Sequence, residues 1–295
     1  MTSPRLSETM EPKSTIYQVH NRKFRISSDW TISAALGVLG FLTFLPLIIL
    51  LELSLKSQQQ MADAPWLPSY PFRLVNYAKA FRIMGPYIIN SVVFALGTVT
   101  ISFACSTPTA YSMARYSFPG RRFFYLAILA LLMIPGVLTL ITRFVIVVNL
   151  GLNNTNFGIW LPLAASAQAF QIIVLRTSFA SLPEELFEAA RLDGASEKAM
   201  LLNIALPLAK PIMLTLILLQ IHEIWNTYIW PIMIFSRPER YPAILGVLSL
   251  GQLITERDPG AEYAGYVIAG LPMLLLFSLG SRSFIRGLTS GAVKM

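Results

Sequence analysis

The chain has 295 residues, 55% hydrophobic and only 13% charged, where a soluble domain carries about 25% charged residues, so an ordinary soluble domain is excluded. The formal net charge is +8, but Lys and Arg flank the apolar runs without forming a basic domain, which is membrane-protein usage and argues against a nucleic-acid partner. The single cysteine, Cys105, excludes an internal disulfide and a cysteine-based zinc site, so no metal site is expected; its apolar surroundings predict a small buried hydrophobe.

In chain order, residues 1–30 form a polar tail with Arg5, Lys13, Arg22, Lys23 and Arg25. The apolar run Thr31–Leu51 is long for a signal core and no small-x-small cleavage site follows it, so it is predicted as a retained first span. Further spans are predicted at Ile88–Tyr111, Phe123–Ile141, Phe157–Leu175, Leu208–Phe235 and Ala264–Phe284. Each is close to the roughly 20 residues that cross a bilayer as a helix. The runs are continuous and do not alternate, which disfavours a β-barrel. The expected fold is an all-α membrane protein of about six transmembrane helices, with a transmembrane domain over 31–286 and a C-terminal tail over 287–295.

Each predicted span holds a proline: Pro46, Pro108, Pro135, Pro162, Pro231 and Pro272. Proline frees a helix carbonyl and permits a kink, but membrane helices carry more proline than soluble ones in any case, so bending does not follow from this alone. Of the 23 Lys and Arg, 15 fall on the side of the N-terminal tail and 8 on the other. The richer side faces the cytoplasm, which places both termini there.

Between the fourth and fifth spans the chain leaves the membrane over 181–207. Ser181 with Glu184 has the capping-box pattern, and Glu184 and Glu185 suit the positive end of a helix. Leu182, Leu186, Ala189, Ala190 and Leu192 read as an apolar stripe. Asp193-Gly194 predicts a break, a second short helix is expected from Ser196, and Pro207 marks entry to the fifth span. Acids outnumber bases across Glu184–Glu197, so anionic headgroups repel this segment and a soluble partner fits better.

The segment Glu188-Ala189-Ala190, three residues, Gly194, nine residues, then Ile204 and Leu206-Pro207 resembles the loop of permease subunits of bacterial ATP-binding cassette importers, with every spacing kept. Asn90-Ser91, Ala110-Tyr111, Ala114-Arg115, Phe118-Pro119-Gly120, Gly151–Thr155, Trp225-Asn226 and Arg286–Lys294 are similar to the carbohydrate branch, the smaller permease of maltose-type systems. The resemblance covers about 83 to the end. It implies the type I importer permease fold in the bacterial cytoplasmic membrane, with a coupling helix between spans four and five. The implied partners are a second homologous permease, two ATP-binding cassette subunits and an extracytoplasmic solute-binding protein.

The chain has no G-x-x-x-x-G-K-[ST] loop, so it is expected to be no enzyme and to bind no cofactor; ATP and Mg belong to the partner ATPase. The coupling residues are then Glu188, Ala189, Ala190, Gly194, Ile204, Leu206 and Pro207, with Ser290, Gly291 and Lys294 as a second contact implied by the resemblance. For a solute path the fifth span offers Glu223, Trp225, Asn226 and Tyr228. A charge at mid-span must face the interior or an aqueous cavity, and the aromatic rings suit sugars; polar interhelical packing is the alternative use of the same residues. A metalloprotease reading of His222-Glu223 fails because H-E-x-x-H needs histidine where Asn226 stands. An ion-coupled secondary transporter would need repeated halves and coupling carboxylates, and a membrane enzyme a catalytic cluster; neither pattern is visible.

Overall fold

A computed structural model describes residues 30–254 and 258–292. Its helices are α1 (Trp30–Ser54), α2 (Gln58–Asp63), α3 (Val75–Arg115), α4 (Arg121–Leu132), α5 (Leu140–Asn149), α6 (Phe157–Ala180), α7 (Glu184–Leu192), α8 (Glu197–Met200), α9 (Leu206–Trp225), α10 (Ile229–Ile234), α11 (Ala243–Leu253) and α12 (Pro259–Ala292). No strand occurs among the described residues. Five segments are long and apolar enough to cross a membrane, and a bent pair built from α4 and Gly136–Asn149 makes up to six.

The chain divides into Met1–Leu47 and Ile48–Met295. The described part of the first unit is the apolar beginning of α1, and nearly all of it is exposed. A helix that is apolar all round belongs in lipid or against another protein.

In the second unit α3 is the spine. Its 41 residues span about 60 Å, twice the roughly 30 Å of hydrocarbon. Successive stretches of α3 serve different cores. Ala80, Met84 and Tyr87 pack with Leu250 and Ile268, Phe94 and Ala95 with Ile159, Ile224 and Trp230, and Ala110, Tyr111 and Met113 with Leu175, Phe179 and Leu216. α6 approaches closely because Gly97 has no side chain. A Cβ there would lie 2.2 Å from the Trp160 ring, whose indole N–H donates to the Val93 carbonyl at 3.2 Å.

Between the second and third cores lies a buried polar layer. The Ser102 hydroxyl donates to Gln171 Oε1, and Gln171 Nε2 donates to Gln220 Oε1 at 2.9 Å, joining α3, α6 and α9. Gln171→Leu removes the central member and leaves two buried groups without it. At about 0.6–1.7 kcal/mol per interhelical bond, the variant is expected to lose about 1–3 kcal/mol, measured by detergent-denaturation titration.

Several expectations change. The third span, expected as one helix over Phe123–Ile141, is broken after Leu132 and bent by 94°, with Pro135 preceding a 3-10 turn at Gly136–Thr139. The fifth, expected to run Leu208–Phe235, ends at Trp225. There Asn226 Nδ2 donates to the His222 carbonyl at 2.8 Å and Thr227 Oγ1 to that of Glu223 at 2.8 Å, ending the helix. The entry to this span is also earlier than Pro207, since the helical path is continuous from Glu197. Pro46, Pro108, Pro162 and Pro272 lie inside helices. Pro162 cannot donate to the Gly158 carbonyl, and the Trp230 indole N–H does so instead, at 3.0 Å. Cys105 is exposed, not buried, because it lies on the exposed side of α3 with Ala104, Pro108 and Thr109.

Two stretches that resemble the carbohydrate branch act as staples. Asn90 Nδ2 donates to the Glu239 and Tyr241 carbonyls, and Ser91 Oγ accepts from Ala243 N at 2.8 Å. Asn154 N donates to the Ile234 carbonyl, and the Asn154 side chain exchanges bonds with Ser236.

Candidate functional site

The loop after α6 folds as two short helices joined by a tight turn. Ser181 does not cap α7 as its sequence pattern implies. It belongs to the last turn of α6, where its hydroxyl donates to the Ser178 carbonyl at 2.8 Å, and Pro183 is the N-cap of α7. At the other end Gly194 takes φ +80°. Gly194 N donates to Arg191 O at 3.1 Å and Ala195 N to Ala190 O at 2.9 Å, the paired bonds of a Schellman stop. Ala190 and Ala195 both lie against the same core, which supplies the apolar contact that such a stop favours. Ser196 then caps α8 by accepting from Ala199 N at 3.3 Å.

The loop is rooted in the bundle by one aromatic ring. Phe187 is fully buried among Tyr111, Phe179, Met200 and Ala205. The Arg115 guanidinium, at the end of α3, lies 3.9 Å from its ring centroid. That same group binds Glu184 at 2.5 Å and the Leu182 carbonyl at 2.8 Å. One arginine therefore ties α3 to the start of α7 by charge, hydrogen bond and ring contact. Across the turn Arg191 reaches Glu184 at 3.3 Å and Glu197 at 3.7 Å.

Tyr116 donates to Glu197, fastening α8 as well. Burial and then the Glu197 carboxylate hold its hydroxyl protonated well above the ordinary range. A raised folded-state pKa means that this stabilisation is complete below the ordinary value of about 10 and is lost as pH rises beyond it. A spin label at position 188, with Cys105 replaced by serine, is expected to gain mobility above about pH 10. Tyr116→Phe should be looser at neutral pH and lack that alkaline contribution.

The expected coupling residues fall into two groups. Glu188, Ala189 and Gly194 are exposed on the outer side, together with Glu185 and Asp193. Ala190, Ile204 and Leu206 are half-buried against the Phe187 core, so they hold the loop in place, and Pro207 is exposed. The expected apolar stripe is out of phase: Leu192 is 90% exposed and Phe187 supplies the buried contact. Between α8 and α9, Leu201–Ala205 is a π turn. Pro207 has no N–H for the Asn203 carbonyl, and a wider turn accommodates its ring.

Glu223 and Trp225 lie in the last turn of α9, and Asn226 and Tyr228 follow it. Glu223, Asn226 and Tyr228 are exposed and Trp225 is buried, so these residues do not form one surface. Ser290 and Gly291 lie in the final turns of α12, and Lys294 is outside the described residues. Sequence reasoning missed Phe187 and the partners of Arg115. The signal present was a charge at the end of a long apolar run, beside Tyr116. It also missed Arg143, which joins α5 to Ser166 Oγ of α6 at 2.6 Å and to the Gly136 carbonyl at the break at 2.7 Å.

The bundle, its broken span and its rooted, exposed loop define a polytopic membrane protein. Residues 106–291 match the family described as the binding-protein-dependent transport system inner membrane component. A probable ABC transporter permease of Bacillus subtilis is 32% identical over 84% of this chain and 83% of its own. A diacetylchitobiose uptake permease of Streptomyces coelicolor is 30% identical over 89% and 88%, and an arabinooligosaccharide transport permease of Halalkalibacterium halodurans is 31% identical over 90% and 96%. The fold matches a crystal structure of a bacterial ABC transporter that imports the acidic polysaccharide alginate, at TM-score 0.76 and 23% identity, covering 88% of this chain and 98% of that one. The chain belongs to the family of binding-protein-dependent transport system inner membrane components. It is a membrane-spanning permease subunit of an importer.

Proposed function

We propose that this permease forms half of the translocation path of an ATP-driven importer for a sugar, oligosaccharide or polyol, and that α7 carries the movement of a separate ATPase into the bundle. The observation that carries this reading is the root of the loop. Phe187 and Arg115 fix α7 to α3, so a force on its exposed face moves a helix that runs the length of the unit. ATP acts by binding one state of a two-state bundle better than the other. The outer face, with Glu188, Ala189 and Gly194, suits close docking because it is small and acidic. The solute class is supported by relatives that carry diacetylchitobiose and arabinooligosaccharides.

The proposed assembly has a second permease, two ATP-binding cassette subunits that hold ATP and Mg, and an external solute-binding protein. Both termini are cytoplasmic and the membrane is the bacterial inner membrane. Glu223, Asn226 and Tyr228 are proposed to face the path, with Trp225 supporting them from within the core. Ser290, Gly291 and Lys294 are a second proposed ATPase contact. Mild-detergent purification of the tagged chain from its host, followed by mass spectrometry, tests the assembly. An ATPase and a second permease are expected; recovery of the intact chain without an ATPase, with uptake retained in ATP-free vesicles, would overturn the reading.

A further inference from the structure

Three arginines meet on the side of the bundle that carries α7, at a place that neither the coupling face nor the solute path uses. Arg121 and Arg122 open α4 directly after Gly120, and Arg176 lies in the last turns of α6. With Phe118, Gly120 and Tyr125 they line an open cavity of about 440 Å³, and no acidic residue is part of its wall. Among the described residues none of the three has a carboxylate partner, whereas nearby Arg115 is paired with Glu184. Unpaired cations on the cytoplasmic rim of a membrane protein are common in themselves. What distinguishes these is that two of them are held in place around a cavity.

Arg121 Nη1 donates to the Tyr116 carbonyl at 3.0 Å. Arg176 Nε donates to the Met113 carbonyl at 3.3 Å, and its guanidinium lies 4.4 Å from the Tyr125 ring centroid. A guanidinium carries five N–H groups, so each arginine keeps donors for a ligand after these contacts. Arg122 is exposed beside them. Below the arginines α4 continues as an apolar helix with Phe123, Leu126 and Leu131 exposed, the surface that hydrocarbon chains would cover.

We propose that the cavity between Arg121, Arg122 and Arg176 binds the phosphate headgroup of an anionic membrane lipid. The guanidinium fork matches phosphate oxygens, and three cations favour a headgroup with net negative charge over a zwitterionic one. Soluble phosphate shares the headgroup chemistry but has no chains to lie along α4. Because Arg121 is bonded to the residue that fastens α8, the bound lipid sits against the root of the coupling loop.

The test uses the intact transporter, purified with its accompanying subunits and equilibrated with mixed phosphatidylglycerol and phosphatidylcholine. Native mass spectrometry then counts the retained lipids. Phosphatidylglycerol is expected to be retained preferentially. Retention should fall about fivefold for each arginine removed in Arg122→Gln and in the Arg121→Gln/Arg122→Gln double variant, corresponding to about 1 kcal/mol per charge. Arg122→Lys should keep most of it. Equal retention of the two lipids, or unchanged retention in the double variant, would overturn the proposal. Complete displacement of phosphatidylglycerol by millimolar inorganic phosphate would assign the cavity to a soluble anion and overturn it too. If the double variant fails to assemble, Arg122→Gln alone decides, since the exposed Arg122 side chain makes none of the bonds that hold Arg121 and Arg176: unchanged retention there would overturn the proposal.

Discussion

Gly194→Val is expected to reduce solute uptake about tenfold or more while ATP hydrolysis by the assembled transporter continues, and Gly194→Asn to retain most of the uptake. The reason is local. Gly194 holds φ +80°, and a Cβ added there meets nothing within 4 Å, so the cost of valine is borne by the backbone and not by a clash. A non-glycine residue in the left-handed region costs about 1–2 kcal/mol, more when β-branched, while asparagine visits that region routinely. Relaxing the turn breaks the Ala195 N to Ala190 O bond and swings the exit of α7 away from α8. A penalty of that size lowers the population of the docked geometry about five- to thirtyfold. Uptake and hydrolysis measured together in proteoliposomes give the ratio. Equal uptake in the valine and wild-type proteins would remove Gly194 from the coupling surface.

Phe187→Ala is expected to have the larger effect on the loop itself. The ring is fully buried, sits 6.3 Å from the Tyr111 ring and carries the Arg115 guanidinium above it. Truncating a buried phenylalanine costs about 3–5 kcal/mol, here confined to the attachment of α7 because the spans keep their own cores. The chain should still insert and co-purify with its permease partner, but lose uptake and much of its ATPase association. Phe187→Leu should recover part of the loss by refilling volume without the cation–ring contact. Leu192→Ala, at the 90%-exposed position, should leave loop stability within about 0.5 kcal/mol of wild type. Hydrogen exchange across 184–200 in the assembled complex separates these cases.

What the sequence carried well was whatever rests on strong local chemistry. The long apolar runs located the spans, because a bilayer requires uninterrupted apolar length, and Asp193-Gly194 marked a turn that favours glycine. What it carried poorly depended on which side of a helix meets which neighbour. Both arms of the broken span, α4 and α5, are apolar, so hydropathy runs across Met133–Pro135 without a dip. The phase of α7 was lost for a related reason: Leu186 and Leu192 face outward, and Phe187 makes the inward contact with the end of α6 and with α3, which lies about seventy residues earlier in the chain. Ser181 has the right spacing to cap α7, but the last turn of α6 claims its hydroxyl first. Trp225 looked like a sugar platform by type, and only packing places it inside the core. The offsets at Glu188–Ala190, Gly194 and Ile204–Pro207 combine two roles, an outer face and an inner anchor, that spacing alone does not separate.

The most direct test of coupling through α7 is photo-crosslinking from position 189 in the assembled transporter. A benzophenone amino acid replaces Ala189, Leu131 serves as the lipid-facing control, and the products are identified by mass. An adduct between this chain and the ATPase at position 189, lost in Phe187→Ala and absent from position 131, is the predicted result. Adducts from position 189 only to lipid or to the second permease, in complexes that hydrolyse ATP and transport solute, would contradict it.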